Sequence, residues 1–221
     1  MKITAKKILF CLFGLIIIVG LLLATIWYKN SPSSKTTTDT QQKPQINTPI
    51  SPTKTSLIAE PIGNAKARIT KKPFGIYITP VNSPVQPERF SGYHTGTDFE
   101  VTNQELMQNT AIFAVCDGNI LIKQWVSGYG GVIVQSCLLE KEAVTVLYGH
   151  LNISESDTPA AGNNVKAGEH LAILGTPYSH DTDGERKHLH LAIHKGMGID
   201  YRGYVQNKNE LSNWVDAKTL L

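Results

Sequence analysis

Apolar and polar positions along the chain fall into three textures. Residues 8–28, ILFCLFGLIIIVGLLLATIWY, run 21 positions without a charge. A helix of that length reaches ~31 Å at ~1.5 Å per residue, about a hydrocarbon core, so the run predicts a transmembrane helix. Residues 29–60 are rich in Ser, Thr, Pro, Gln and Lys. Such a segment buries too little apolar surface to offset its ordering entropy, and it predicts a disordered, flexible linker. From about residue 64, short runs rich in Val, Ile and Tyr recur between Gly, Pro and Asn. They predict strands at Ala67–Thr70, Gly75–Thr79, Thr97–Val101, Ala111–Gln124, Gly131–Leu138, Val144–His150, His170–Leu174 and His188–His194. No long 3.6-residue period follows the first apolar run; turns are expected only near Gln104–Met107 and Ser212–Leu220. The reading is an all-β, mostly antiparallel domain over residues 61–221.

Charge adds topology. Lys2, Lys6 and Lys7 precede the apolar run, and no acid occurs before Asp39. That asymmetry predicts a cytoplasmic tail, residues 1–7, and an extracytoplasmic domain, with Trp27 and Tyr28 at the far interface. A cleavable signal peptide would have a shorter apolar core and a small-x-small site, which the sequence lacks, so an uncleaved single-pass signal anchor is expected. The formal charge of +3 resides in those three lysines, because 18 basic and 18 acidic residues remain beyond Tyr28. Nothing in that balance suggests nucleic-acid binding. Cys116 and Cys137 lie on the exported side, on neighbouring β-like runs, where a disulfide can form; two buried thiols are the alternative.

The stretch RKHLHLAIHK, Arg186 to Lys195, carries the first chemical signal. On a strand, Leu189, Leu191 and Ile193 share one face, and His188, His190, Ala192 and His194 the other. Imidazoles two apart on one face suit one metal, or one ligand and one neighbour. HTGTD offers His94 and Asp98 around a flexible Gly96, and LYGHL ends a β-like run on His150. Neutral imidazole and carboxylate are ordinary zinc ligands, and a catalytic zinc keeps three protein ligands with one open position. Five candidates therefore face a need for three. The two others would be free for proton transfer and for stabilising developing negative charge. Spacing does not say which three.

In order and wording, PFGIYITPVNSP, GYHTGTDFEV, VLYGHL, VKAGEHLAILG and HLHLAIH resemble the lysostaphin-type (LytM-like) zinc endopeptidases over roughly residues 66–221. The resemblance implies two antiparallel sheets forming a groove, with the polar face of the HLHLAIH strand as its floor. It implies Zn²⁺ on His94, Asp98 and His190, with His150 and His188 flanking a metal-activated water. It also implies peptidoglycan peptides as substrate, reached from the membrane through the anchor and linker. The departure is GTPYSHDTDGERK, where relatives carry a Gly/Ser/Thr-rich turn ending in Gly-Pro. This loop, residues 176–187, is expected to be solvated and to form one wall of the groove. His180, Asp181, Asp183 and Glu185 could add a ligand or an inhibitory contact. His170 is expected to be structural, His194 to sit at the groove's end, and Glu100 to stand behind Asp98. The alternative is a catalytically silent relative that binds the wall or activates other hydrolases. Asp98 and Glu100 are too close in sequence to be an opposed acid/base pair for glycan cleavage.

Overall fold

The computed structural model describes residues 58–221. The tail, the expected span at 8–28 and residues 29–57 of the expected linker lie outside the described residues. Among the described residues no helix is long and apolar enough to cross a membrane. The domain begins by Ile58, which composition assigned to the linker. Its side chain is buried, and the next amide, Ala59, donates to the Val115 carbonyl at 2.8 Å.

Twelve strands are described: β1 Tyr77–Ile78, β2 Gly92–His94, β3 Thr97–Glu100, β4 Ala111–Phe113, β5 Gly118–Val126, β6 Gly130–Leu139, β7 Glu142–Asn152, β8 Asn164–Val165, β9 His170–Leu174, β10 His188–Lys195, β11 Tyr204–Val205 and β12 Trp214–Val215. They form a small sheet, β1-β2-β11, and a nine-stranded sheet built on β12-β10-β7-β6-β5-β8, with every pairing antiparallel. Two sequence expectations change. Ala67–Thr70 is no strand: a 3₁₀ turn spans Ala65–Arg68. The run Ala111–Gln124 is two strands, because the chain breaks at Ala114–Asp117 and β4 pairs with β9 while β5 pairs with β6.

β10 organises the large sheet. One edge lies along β7; the other is shared by β3 and β12. Leu189, Leu191 and Ile193 enter the main core with Phe99, Tyr148 and Ile133. Full burial of each such side chain contributes about 2 kcal/mol. Ala192, on the opposite face, joins a second cluster with Tyr129, Leu147 and Trp214. β6 and β7 serve both clusters, which is why their sequences read as near-continuous apolar runs. The polar atoms between them are paired: Tyr148 Oη donates to Gln135 Oε1 at 2.7 Å and accepts from the Val115 amide at 2.9 Å. Cys116 and Cys137 are disulfide-bonded, with Cα atoms 6.0 Å apart, joining the start of β5 to β6.

Candidate metal and catalytic site

The five sequence candidates come from four segments, and strand register brings them together. Antiparallel pairing sets Asp98 on β3 opposite His190 on β10, and Glu100 opposite His188. Directly opposite residues share a face of the sheet. His94 belongs to the small sheet, where it faces Tyr204 of β11. The motif HTGTD therefore spans the corner between the sheets, and Thr95–Gly96 makes the turn. His150 arrives by a bulge. Its φ is 63°, and the β6–β7 register slips between Gly131 and Ile133. A non-glycine residue held at positive φ costs free energy, and it persists here between two backbone bonds. The His150 amide donates to Tyr129 O at 3.0 Å, and its carbonyl accepts from Gly175 N at 2.9 Å. The bulge re-aims the imidazole, whose ring centroid lies 4.3 Å from that of His188.

Three ligand atoms converge. His94 Nε2 lies 3.1 Å from His190 Nδ1, His190 Nδ1 lies 3.1 Å from Asp98 Oδ1, and His94 Nε2 lies 3.4 Å from Asp98 Oδ1. All three residues are buried. Ligands about 2.0–2.1 Å from a tetrahedral zinc stand roughly 3.3–3.4 Å apart, so the triangle has the right size. His94 Nδ1 faces the Pro73 carbonyl at 3.3 Å, so the proton sits there and the Nε2 lone pair points inward. A single proton on His190 Nδ1 could bridge two of these atoms. It would still leave His94 Nε2 and Asp98 Oδ1, two acceptors 3.4 Å apart, with nothing between them, while His190 Nε2 has no hydrogen-bond partner in either state. A divalent cation satisfies all three inward lone pairs at once. Burial pushes the His94 pKa down to about 3, so its imidazole is neutral and able to ligate. Burial opposes the Asp98 carboxylate, but the His188 and His94 imidazoles hold its pKa well below the usual range.

The remaining two imidazoles lie on the same cleft, which has a volume of about 280 Å³ and is walled by Tyr129, Tyr204, Lys72 and Glu185. His188 donates Nδ1–H to the Arg186 carbonyl at 2.9 Å, leaving Nε2 3.3 Å from Asp98 Oδ2. His150 Nδ1 has no partner, and burial lowers its pKa well below the ordinary value, reinforced by His188 and His190. Tyr129 packs its ring 5.1 Å from that of His190. Tyr204 stacks on His94 at 5.1 Å, and its hydroxyl accepts from Lys72 Nζ at 3.3 Å. Lys72 is itself buried against Glu88.

Other expectations resolve differently. His194 packs edge-on against Trp214, at 5.1 Å, outside the cleft. His170 sits on β9 beside Asp157, 3.4 Å away, and faces Phe113. The loop 176–187 leaves Thr176, Tyr178, His180 and Gly184 exposed, as a solvated loop does, but it is also pinned at several points. Asp183 Oδ2 accepts from Gly128 N at 2.7 Å, Glu185 pairs with Arg89 at 2.9 Å, and His180 stacks on Trp125. None of its acids joins the ligand triangle. The residue sequence reasoning passed over is Arg186. Its guanidinium donates to Asp98 Oδ2 at 2.9 Å and to both oxygens of Glu100. The available signal was an arginine two positions before His188, directly ahead of the strand that carries the imidazoles.

Residues 92–207 match peptidase family M23. No curated protein matches the chain. Among solved structures it is similar to Csd3 of Helicobacter pylori, at 22% identity over 69% of this chain and 35% of that one, with a TM-score of 0.44. It is similar to LytU, at 21% identity over 77% of this chain and 94% of that one, with a TM-score of 0.42. It is also similar to lysostaphin in solution, at 23% identity over 67% of this chain and 53% of that one, with a TM-score of 0.41. The chain spans about a third of the length of the Csd3 structure. The family match covers more than half of the 221 residues and contains every member of the five-residue cluster. The chain belongs to peptidase family M23, the family of the lysostaphin-type peptidases that its motifs resemble.

Proposed function

We propose that the chain is a zinc-dependent endopeptidase hydrolysing peptide bonds of bacterial cell-wall peptidoglycan. The observation that carries this reading is the buried triangle of His94, Asp98 and His190 atoms, 3.1–3.4 Å on a side, with two more imidazoles on the same cleft. Zn²⁺ held there would polarise a scissile carbonyl and lower the pKa of water toward ~7. His188 is oriented as the base. Its Nδ1–H is committed to the Arg186 carbonyl, so the Nε2 lone pair takes the proton of the attacking water. The imidazolium so formed has Asp98 Oδ2 3.3 Å away to stabilise it. His150 lies beside it with an unpartnered ring nitrogen and donates to the oxyanion that develops on the carbonyl oxygen. Tyr129 and Tyr204 wall the cleft and limit the water reaching the reacting bond.

The test is release of soluble fragments from purified sacculi by the full chain, with and without chelator, followed by mass spectrometry of the muropeptides. Chelator-sensitive release of fragments cut at peptide bonds is expected. Bound zinc without any release would refute the enzyme and favour a wall-binding or hydrolase-activating role. The uncharged run at 8–28 and the lysines before it support a single-pass anchor with the peptidase outside the cytoplasm. Degradation of the domain by protease added to spheroplasts is the expected result; full protection would refute that topology.

A further inference from the structure

Arg186 is buried, which is unusual for an arginine and raises the question of what its charge faces. Its Nη2 donates to Asp98 Oδ2 at 2.9 Å and to Glu100 Oε1, and its Nε donates to Glu100 Oε2 at 3.1 Å. The Asp98 carboxylate is thereby divided. Oδ1 faces His190 Nδ1 at 3.1 Å and His94 Nε2 at 3.4 Å, while Oδ2 faces Arg186 and His188.

We propose that Arg186 is a positioning residue that reserves Oδ1 of Asp98 for the metal by holding Oδ2, with Glu100 fixing the guanidinium; this rests on the metal centre proposed above. The terminal torsion of an aspartate is broad, so an unrestrained carboxylate would swing between one-oxygen and two-oxygen coordination. The planar fork, Nε and Nη2, closes on both oxygens of Glu100, and this fixes the direction of the single Nη2–H bond to Asp98 Oδ2 in a way that a lone ammonium does not. Strand register makes the arrangement possible, because Glu100 and Asp98 are alternate residues of β3 and lie on the face that Arg186 covers as it leads into β10. The same residue also orients His188 through its backbone carbonyl, at 2.9 Å. Arg186, Asp98 and Glu100 together carry one net negative charge, which attracts a dication more weakly than two free carboxylates but holds one oxygen in place. On the solvent side, Lys71 Nζ stands 3.6 Å from Glu100.

The experiment measures zinc affinity of the full chain in detergent, by competition with a chromophoric chelator, for wild type, Arg186→Gln, Arg186→Lys and Glu100→Gln. Cobalt(II) absorption spectra of the same proteins report coordination number. Arg186→Gln should bind zinc 10- to 100-fold more weakly, as loss of a group orienting a ligand commonly does. Its cobalt spectrum should shift toward five-coordination as Oδ2 joins the metal. Arg186→Lys keeps the charge without the fork and should restore folding but only part of the affinity. Glu100→Gln should weaken binding less than Arg186→Gln. Were the arginine purely stabilising, its replacement would lower the unfolding temperature of the metal-free protein and leave the cobalt spectrum unchanged. Zinc affinity within twofold of wild type together with an unchanged spectrum, in whichever Arg186 variant folds, overturns the proposal. A wild type that binds no zinc removes the metal centre itself, and this role with it.

Discussion

Gly96 lies between His94 and Asp98, and its lack of a side chain is a geometric requirement of the site. A Cβ at this position would stand 2.5 Å from both Cε1 and Nε2 of His190 and 2.9 Å from the Leu191 carbonyl oxygen. Carbon atoms settle near ~3.5–4.0 Å from their neighbours, so Gly96→Ala demands roughly 1 Å of movement. The Leu191 oxygen belongs to the β3–β10 ladder and yields little. The imidazole cannot simply tilt away, because Tyr129 packs its ring 5.1 Å off and the Gly149 backbone lies beside its Cβ. Metal sites tolerate displacements of about 0.2 Å, several times less than the clash requires. Gly96→Ala should therefore weaken zinc binding at least ~10-fold, about 1.4 kcal/mol. Overpacking should also destabilise the metal-free protein by about 1–3 kcal/mol. Competition titration gives the first quantity and denaturant unfolding in chelator the second. Gly63→Ala is the control, because a Cβ there meets nothing within 4 Å. A Gly96→Ala protein with wild-type zinc affinity and wild-type stability would refute the packing argument.

Three further outcomes are expected. His190→Ala should lose zinc, whereas His188→Ala should retain it and lose peptide cleavage by about 10²–10⁴-fold, read by metal analysis alongside the sacculus assay; normal cleavage by His188→Ala would dismiss its role as base. Glu105 is pushed down to about 2, chiefly by the Arg68 guanidinium, which donates to both its oxygens at 2.7 and 2.8 Å. A depressed carboxylate pKa contributes stability that is present above the unfolded value of 4.5 and is lost as pH falls toward 2. Because the pair is partly exposed, the wild-type advantage over Glu105→Gln should be about 1 kcal/mol at pH 7 and should vanish across that acidic window in thermal scans. Replacing Cys116 and Cys137 together by Ala frees a loop of 21 residues, which should cost about 3 kcal/mol by the chain-entropy account; unchanged unfolding would mean that the bond constrains nothing.

The legible part of the site was its inventory. Alternation in HLHLAIH assigned the leucines to the core and the imidazoles to the opposite face, because side-chain direction on a strand has period two whatever the strand's neighbours. The β7 and β9 runs were legible for a related reason: short apolar segments bounded by turn residues have few other places to go. The misread segments were those whose pairing is decided at a distance. AIFAVCDGNILIKQW reads as one strand, yet its halves serve different partners, β9 and β6. ARIT reads as a strand, but Arg68 reaches back to the Gly63 carbonyl at 2.6 Å and closes a turn instead. The ties that pin the loop 176–187 to Arg89, Gly128 and Trp125 were out of sight too, because they connect residues far away in the chain.

By itself, the sequence determined the β class, the two-faced strand at residues 188–195 and the five residues able to ligate or transfer protons, all of which follow from local periodicity and side-chain chemistry. Tertiary structure alone decided that Asp98 would stand opposite His190, that a bulge would aim His150 at His188, and that the guanidinium of Arg186 would close on Asp98 and Glu100. The reason is register. Which residues meet across a ladder depends on how whole strands settle their apolar faces into a shared core, and no window along the chain contains both partners.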